Sequence, residues 1–155
     1  AHEDIYLITL LIGGHKSGLE ILSQEGEWQD ATVDEDVIIC NIGDMLQRLT
    51  NNYMRSTTHR VSASLLQSES SRYSIPFFVH PNPDWLISTL PSCYDEDKPN
   101  LYTESILAED YLQERLKEIK LILDETNVNA IAIGSSLHSG RIKISELKNY
   151  LSKKN

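Results

Sequence analysis

Positive charge is scarce in this sequence. Its 155 residues carry 14 Lys and Arg against 23 Asp and Glu, a net charge of −9. That balance argues against a duplex-binding surface, which needs clustered cations to displace counterions. The one basic cluster, Lys148, Lys153 and Lys154, better suits the negative end of a final helix. Cysteine is nearly absent too, with only Cys40 and Cys93. No disulfide framework follows from two such residues, so a reducing, cytoplasmic setting is expected. Cys40, in the apolar run "VIICNI", is expected to be a small buried hydrophobe; Cys93 lies in a Pro- and Ser-containing loop. Long hydrophobic runs are missing: "IYLITLLIGG" is stopped by Gly13-Gly14, and neither a membrane span nor a signal peptide is recognisable. No internal repeat or low-complexity segment occurs. The length suits a single core of ordinary size.

What is present, up to about Pro83, is a series of short strand-like runs with turn residues between them. "IYLITLLI", "GLEILS", "VIICNI", "TTHRVSAS" and "RYSIPFFVH" are the strand candidates, with "QEGEW" a turn and Gln67 to Ser71 a polar loop. Strands at this density predict an all-β barrel or sandwich. Beyond Pro83 comes a polar connection, "CYDEDKPNLYTES". A helix is then expected from Thr103 or Glu104 to Leu123, with Leu107, Tyr111, Leu116, Ile119 and Leu123 as its core stripe. "AIAIG" and "RIKIS" read as a small hairpin, and Ser145-Glu146 as the start of a last short helix.

The chain begins "AHEDIYLITLL". In a strand, residues i and i+2 share a face, so His2 and Asp4 would point the same way. An ordinary polar start to a strand is the simpler reading of that tripeptide alone. Of the five histidines, His15, His80 and His138 sit in polar or Pro-flanked loops and read as solvated. His59 differs, because it lies in "STTHRV", a β-branched stretch able to bring an imidazole from a second strand. Two imidazoles and one carboxylate leave part of a divalent ion's coordination sphere open, the pattern of non-haem Fe(II) oxygenases. Downstream, Arg72 and Ser74 share a strand face with Pro76 and Phe78. An inward guanidinium and hydroxyl call for an anion, either a ligand's carboxylate or a structural Asp of the protein itself.

Taken in order, these pieces resemble the C-terminal catalytic half of the isopenicillin N synthase-like family of Fe(II)/2-oxoglutarate-dependent dioxygenases. The ordered set is His2-Glu3-Asp4, then His59, then Arg72-Tyr73-Ser74, joined by "NIGDMLQRLTNNYMRSTTHRV" and "RYSIPFFVHPNPD". The resemblance covers residues 1 to about 119, with 120–155 an extension of unknown role. It implies a mainly β fold, a double-stranded β-helix (jelly-roll) core incomplete at its N-terminus and followed by C-terminal helices. It further implies Fe(II) held by His2, Asp4 and His59, and 2-oxoglutarate gripped by Arg72 and Ser74. A small organic substrate would be oxidised by O2, with release of succinate and CO2. Phe78 is a candidate for the substrate wall, with core packing the alternative. Asn41, Gly43 and Asp44 are expected to form a turn, Asn51-Asn52 to need positive φ, and Trp28 and Tyr53 to be packing residues.

In the family a long region precedes the His-x-Asp motif, so a piece of a longer enzyme is expected here, with exposed apolar surface that favours self-association. Nucleic-acid and membrane partners are not expected. Two other readings stand beside the leading one. Some relatives oxidise their substrate without 2-oxoglutarate, and this chain alone could be a catalytically silent fragment or interaction module.

Overall fold

The computed structural model describes residues 1–12, 18–31, 34, 36–62 and 74–125. The chain divides into two compact units, Ala1–Leu116 and Lys117–Asn155, and the described part of the second is helical. Arg72, His15, His138, the loop at Gln67 to Ser71, the C-terminal basic cluster, the expected "AIAIG"/"RIKIS" hairpin and the helix at Ser145 lie outside the described residues.

The first unit is mainly β. Its short aliphatic and β-branched runs form β1 (Ile8–Ile12), β2 (Leu19–Leu22), β3 (Trp28–Asp30), β4 (Ile38–Ile42), β5 (His59–Val61), β6 (Ile75–Val79), β7 (Leu86–Ile87) and β8 (Ile106–Leu107). They pair antiparallel in the orders β4-β1-β6, β3-β2-β5 and β7-β8. Gly26, at φ +82°, makes the β2–β3 turn that "QEGEW" predicts. His2 bridges His59 on β5, so the first residues lead from the β3-β2-β5 sheet into β1 of the other.

Register decides which side chains share a face. Ile8, Leu10 and Ile12 lie opposite Ile42, Cys40 and Ile38 on β4, and opposite Val79, Phe77 and Ile75 on β6. The result is one wholly apolar face, whose end around Ile12 is open: Ile38, Ile75 and Phe77 are 57%, 65% and 64% exposed. Cys40 belongs to this face and is exposed, contrary to its apolar context. An apolar strand is buried only where something covers its face, and this end of the face is exposed. The opposite face carries Thr9, buried between Asn41 and Phe78.

The core gathers around two helices, α1 (Asp44–Leu49) and α2 (Ala108–Glu125). Met45, Ile87, Ala108, Tyr111 and Leu112 are buried together, with Ile5, Leu7, Ile106 and Leu116 packed against them. Helix α2 begins at Ala108, later than its periodicity suggests, because Ile106 and Leu107 pair with β7 as a strand. Leu107 is therefore 39% exposed, and the buried stripe starts instead at Ala108. The orphan N–H groups of Ala108 and Glu109 donate to Trp85 O and Pro83 O. Gly43 is likewise no simple turn residue but the N-cap of α1.

After α1 the chain reverses through Asn51 (φ 51°) and Asn52 (φ 61°), the left-handed pair expected there. Asn51 is fully buried; its amide donates to Cys93 O and Pro99 O, and its carbonyl accepts from Leu101 N–H. Trp28 packs under the Arg60 guanidinium, 3.8 Å from the ring centre. Tyr53 does not pack as expected and is 75% exposed, with the Lys98 ammonium 5.4 Å from its ring centre.

Candidate metal centre

Backbone pairing brings the two imidazoles together. His2 N–H donates to His59 O and His59 N–H donates to His2 O, each at 3.0 Å, which sets the rings 4.4 Å apart. Asp4 follows on the same segment, and its Oδ1 lies 3.7 Å from His2 Nε2 and 3.8 Å from His59 Nε2. Among the described residues, this trio is the group whose ligand atoms converge, all within 4.8 Å of one another.

The segment that carries Asp4 is clasped by the start of α1. The first N–H groups of a helix have no partner within it. Here Gly43 N–H donates to Leu7 O, Asp44 N–H to Asp4 O at 2.8 Å, and Met45 N–H to Ile5 O and Tyr6 O. Such an approach leaves no room for a side chain at the cap: a Cβ on Gly43 would stand 2.0 Å from Tyr6 O and 2.9 Å from Asp4 O. Alternation does the rest. Ile5 and Leu7 pack into the helical core, while Asp4 and Tyr6, which alternate with them in sequence, are buried as well.

The electrostatics suit a cation. His59 Nδ1 lies 3.0 Å from Thr57 O, which can only accept, so Nδ1 carries a proton and Nε2 is the nitrogen turned toward Asp4. Burial, reinforced by His59, lowers the pKa of His2 against the opposing pull of Asp4. That shift favours a neutral His2 imidazole, the state in which histidine binds metal. The Asp4 carboxylate is buried, with Oδ2 accepting a 2.7 Å hydrogen bond from the Thr9 hydroxyl. Just beyond, burial pushes the Asp44 carboxyl above the usual range, and the Glu3 charge adds to the effect while Arg115 opposes it. A buried carboxylate facing two imidazoles is a donor set that a divalent ion fits.

Of the residues singled out from sequence, His2, Asp4 and His59 are brought together. Arg72 is outside the described residues, and Ser74 stands exposed just before β6. Phe78 is half-buried on the inner face of β6, opposite Thr9, with its ring 4.8 Å from that of Tyr6. Thr9 and Tyr6 escaped the sequence reading, and Gly43 figured in it only as a turn residue. Thr9 did leave a trace, as the single polar side chain in the strand "ITLLI".

A family model for the 2OG-Fe(II) oxygenase superfamily matches residues 1–81. The chain belongs to that superfamily. It is 38% identical over 94 residues to the 2-oxoglutarate-Fe(II) type oxidoreductase hxnY of Emericella nidulans, spanning 60% of this chain and 26% of that protein. It is 35% identical over 102 residues to flavonol synthase 1 of Crocosmia x crocosmiiflora, spanning 66% of this chain and 30% of that one. The chain thus spans between a quarter and a third of these superfamily relatives. Among solved structures, a 2OG-Fe(II) oxygenase family protein from Caulobacter crescentus shares 45% identity at a TM-score of 0.71, over 76% of this chain and 39% of its own. A full-length Neurospora crassa protein, in complex with alpha-KG and 5-formyluracil, shares 35% identity at a TM-score of 0.66, over 74% of this chain and 37% of its own. The superfamily's fold is the jelly roll, so the paired antiparallel sheets described above are the part of that fold this chain supplies.

Proposed function

We propose that this chain forms the iron-binding core of a 2-oxoglutarate-dependent oxygenase, which oxidises a small organic molecule with O2 and releases succinate and CO2. The observation that carries this reading is the convergence of His2, Asp4 and His59, with ligand atoms within 4.8 Å of one another. In this reading those three residues hold Fe(II). Arg72 and Ser74 hold the far carboxylate of 2-oxoglutarate, the Arg as a bidentate fork and the Ser through its hydroxyl. The bound ion and keto acid together supply the O2-dependent oxidation, with the keto acid giving up CO2 as it becomes succinate.

The chain's own residues orient and exclude. Thr57 O holds the His59 ring, the α1 N-terminus fixes the Asp4 backbone, and Phe78, its ring 4.8 Å from that of Tyr6, is the candidate for the substrate wall. The binding of alpha-KG by the Neurospora crassa protein, 35% identical to this chain, supports the keto-acid assignment. Within the superfamily, the ordered His2-Glu3-Asp4, His59 and Arg72-Tyr73-Ser74 set favours the isopenicillin N synthase-like group. Residues 1–119 form the catalytic C-terminal domain in this reading, and 120–155 an extension with no assigned role. The two cysteines, both free where described, suit a reducing cytoplasm.

An anaerobic titration with Fe(II) and 2-oxoglutarate tests the assignment. A weak visible charge-transfer band should appear in the parent chain, disappear in Asp4→Ala and weaken in Arg72→Ala. Iron bound by a folded chain without any such band would remove 2-oxoglutarate from the account.

A further inference from the structure

We propose that Thr9 is a positioning residue for the metal centre: its hydroxyl commits Asp4 Oδ2, so that the carboxylate meets the ion through Oδ1 alone. The inference rests on the metal-site reading above and assigns a role to a residue outside the ligand set.

Thr9 sits on β1, 3% exposed, on the face it shares with Asn41 and Phe78. Its Oγ1 lies 2.7 Å from Asp4 Oδ2, five residues back in the chain. An ionised carboxylate can only accept, so the hydroxyl donates, and the charged acceptor makes this one of the stronger hydrogen bonds available to a neutral side chain. Both partners are buried, which leaves no water to replace the bond at low cost. The other oxygen, Oδ1, is the one that faces His2 Nε2 at 3.7 Å and His59 Nε2 at 3.8 Å. The two oxygens of one carboxylate are therefore divided between two tasks.

That division matters to an ion that must also take a co-substrate. With one carboxylate oxygen bound, an octahedral ion keeps a full face open for a chelating keto acid and O2; with both bound, a position on that face is lost. Rotation of the Asp4 carboxyl toward a two-oxygen grip would break the Thr9 bond. Threonine suits the task because its β-branch stiffens χ1 and favours the strand it stands in. A hydroxyl within "ITLLI" has no other reason apparent from packing, since valine would fill the same space.

The test uses the full chain, Mn(II) as the probe ion, and the variants Thr9→Val, Thr9→Ser and Asp4→Ala. Electron paramagnetic resonance titration reads affinity, and infrared difference spectra of metal-bound minus metal-free protein read the carboxylate stretches. Thr9→Val should weaken Mn(II) binding by roughly 10- to 100-fold, the usual effect of removing an outer partner of a ligand. Its carboxylate stretches should also draw together, as they do when both oxygens bind. Thr9→Ser keeps the hydroxyl and should hold the parent's spectrum with affinity near the parent value. Parent-like affinity and spectrum in Thr9→Val would overturn the proposal, as would a folded Thr9→Ser that binds as poorly as Thr9→Val. Should Thr9→Val fail to fold, Thr9→Ala in the same infrared comparison decides. Parent-like Mn(II) binding by Asp4→Ala would instead overturn the metal-site reading itself, a result distinguishable from failure at Thr9.

Discussion

Replacing Gly43 with alanine should damage stability and metal binding together. The glycine is at φ −107°, a conformation alanine adopts freely, so the effect is one of space. The added methyl would stand 2.0 Å from Tyr6 O and 2.7 Å from Tyr6 C. Both neighbours are backbone atoms, which no side-chain rotation can move aside. Overpacking of this kind costs roughly 1–3 kcal/mol. Forcing Gly43 and Tyr6 apart also strains the bonds from Gly43, Asp44 and Met45 N–H to the carbonyls of residues 4–7, worth about 0.5–1.5 kcal/mol each. Loss of two of them brings the total to roughly 2–6 kcal/mol, a large share of the 5–15 kcal/mol by which domains are usually stable. Urea unfolding measures the first effect, and Mn(II) affinity of the folded fraction measures the second, because the displaced backbone carries the Asp4 carboxylate. Gly26→Ala is the control. That residue has φ +82° and nothing within 4 Å of a built Cβ, so alanine there should cost about 1–2 kcal/mol of backbone strain and leave metal affinity unchanged. A Gly43→Ala chain that unfolds at the parent's urea concentration and binds metal like the parent would refute the clasp.

Other consequences follow from the core and the loops. Asn51→Ala should lose on the order of 3 kcal/mol in urea unfolding, since it removes three hydrogen bonds made by a fully buried side chain at a left-handed position; Asn51→Gly, which restores only the backbone freedom, should lose less. Ile87→Ala should cost roughly 2–5 kcal/mol by the same measurement, because Ile87 is fully buried in the core around α1 and α2. Burial, followed by the nearby Asp44 charge, raises the Tyr111 phenol to about 12 against partial compensation from Arg115 and Arg48. The unfolded chain releases that proton near pH 10 and the folded chain only near 12, so Tyr111 favours unfolding increasingly across that window. Tyr111→Phe should flatten the fall in stability between pH 10 and 12.

Much of this was legible because short-range chemistry carried it. Strands β1, β2, β4, β5 and β6 follow from β-branched runs bounded by turn residues, and the left-handed Asn51-Asn52 pair from the tolerance of asparagine. His2, Asp4 and His59 were recognised from their order along the chain, and long-range pairing of His2 with His59 then brings them together. What escaped was short or tertiary. Helix α1 is six residues long, too brief to show a period, and β7 and β8 are two residues each. The exposure of Cys40 and Tyr53 depends on what covers them, which residue type does not encode. Gly43 reads as a turn glycine until the carbonyls of Asp4 and Tyr6 are seen against it.

The central claim is that His2, Asp4 and His59 hold one divalent ion. Anaerobic titration with Co(II), followed by visible absorption, tests it most directly with the parent chain beside His59→Ala. The account predicts a single saturable ion per parent chain and loss of that binding in a folded His59→Ala chain. Equal binding by both would contradict it.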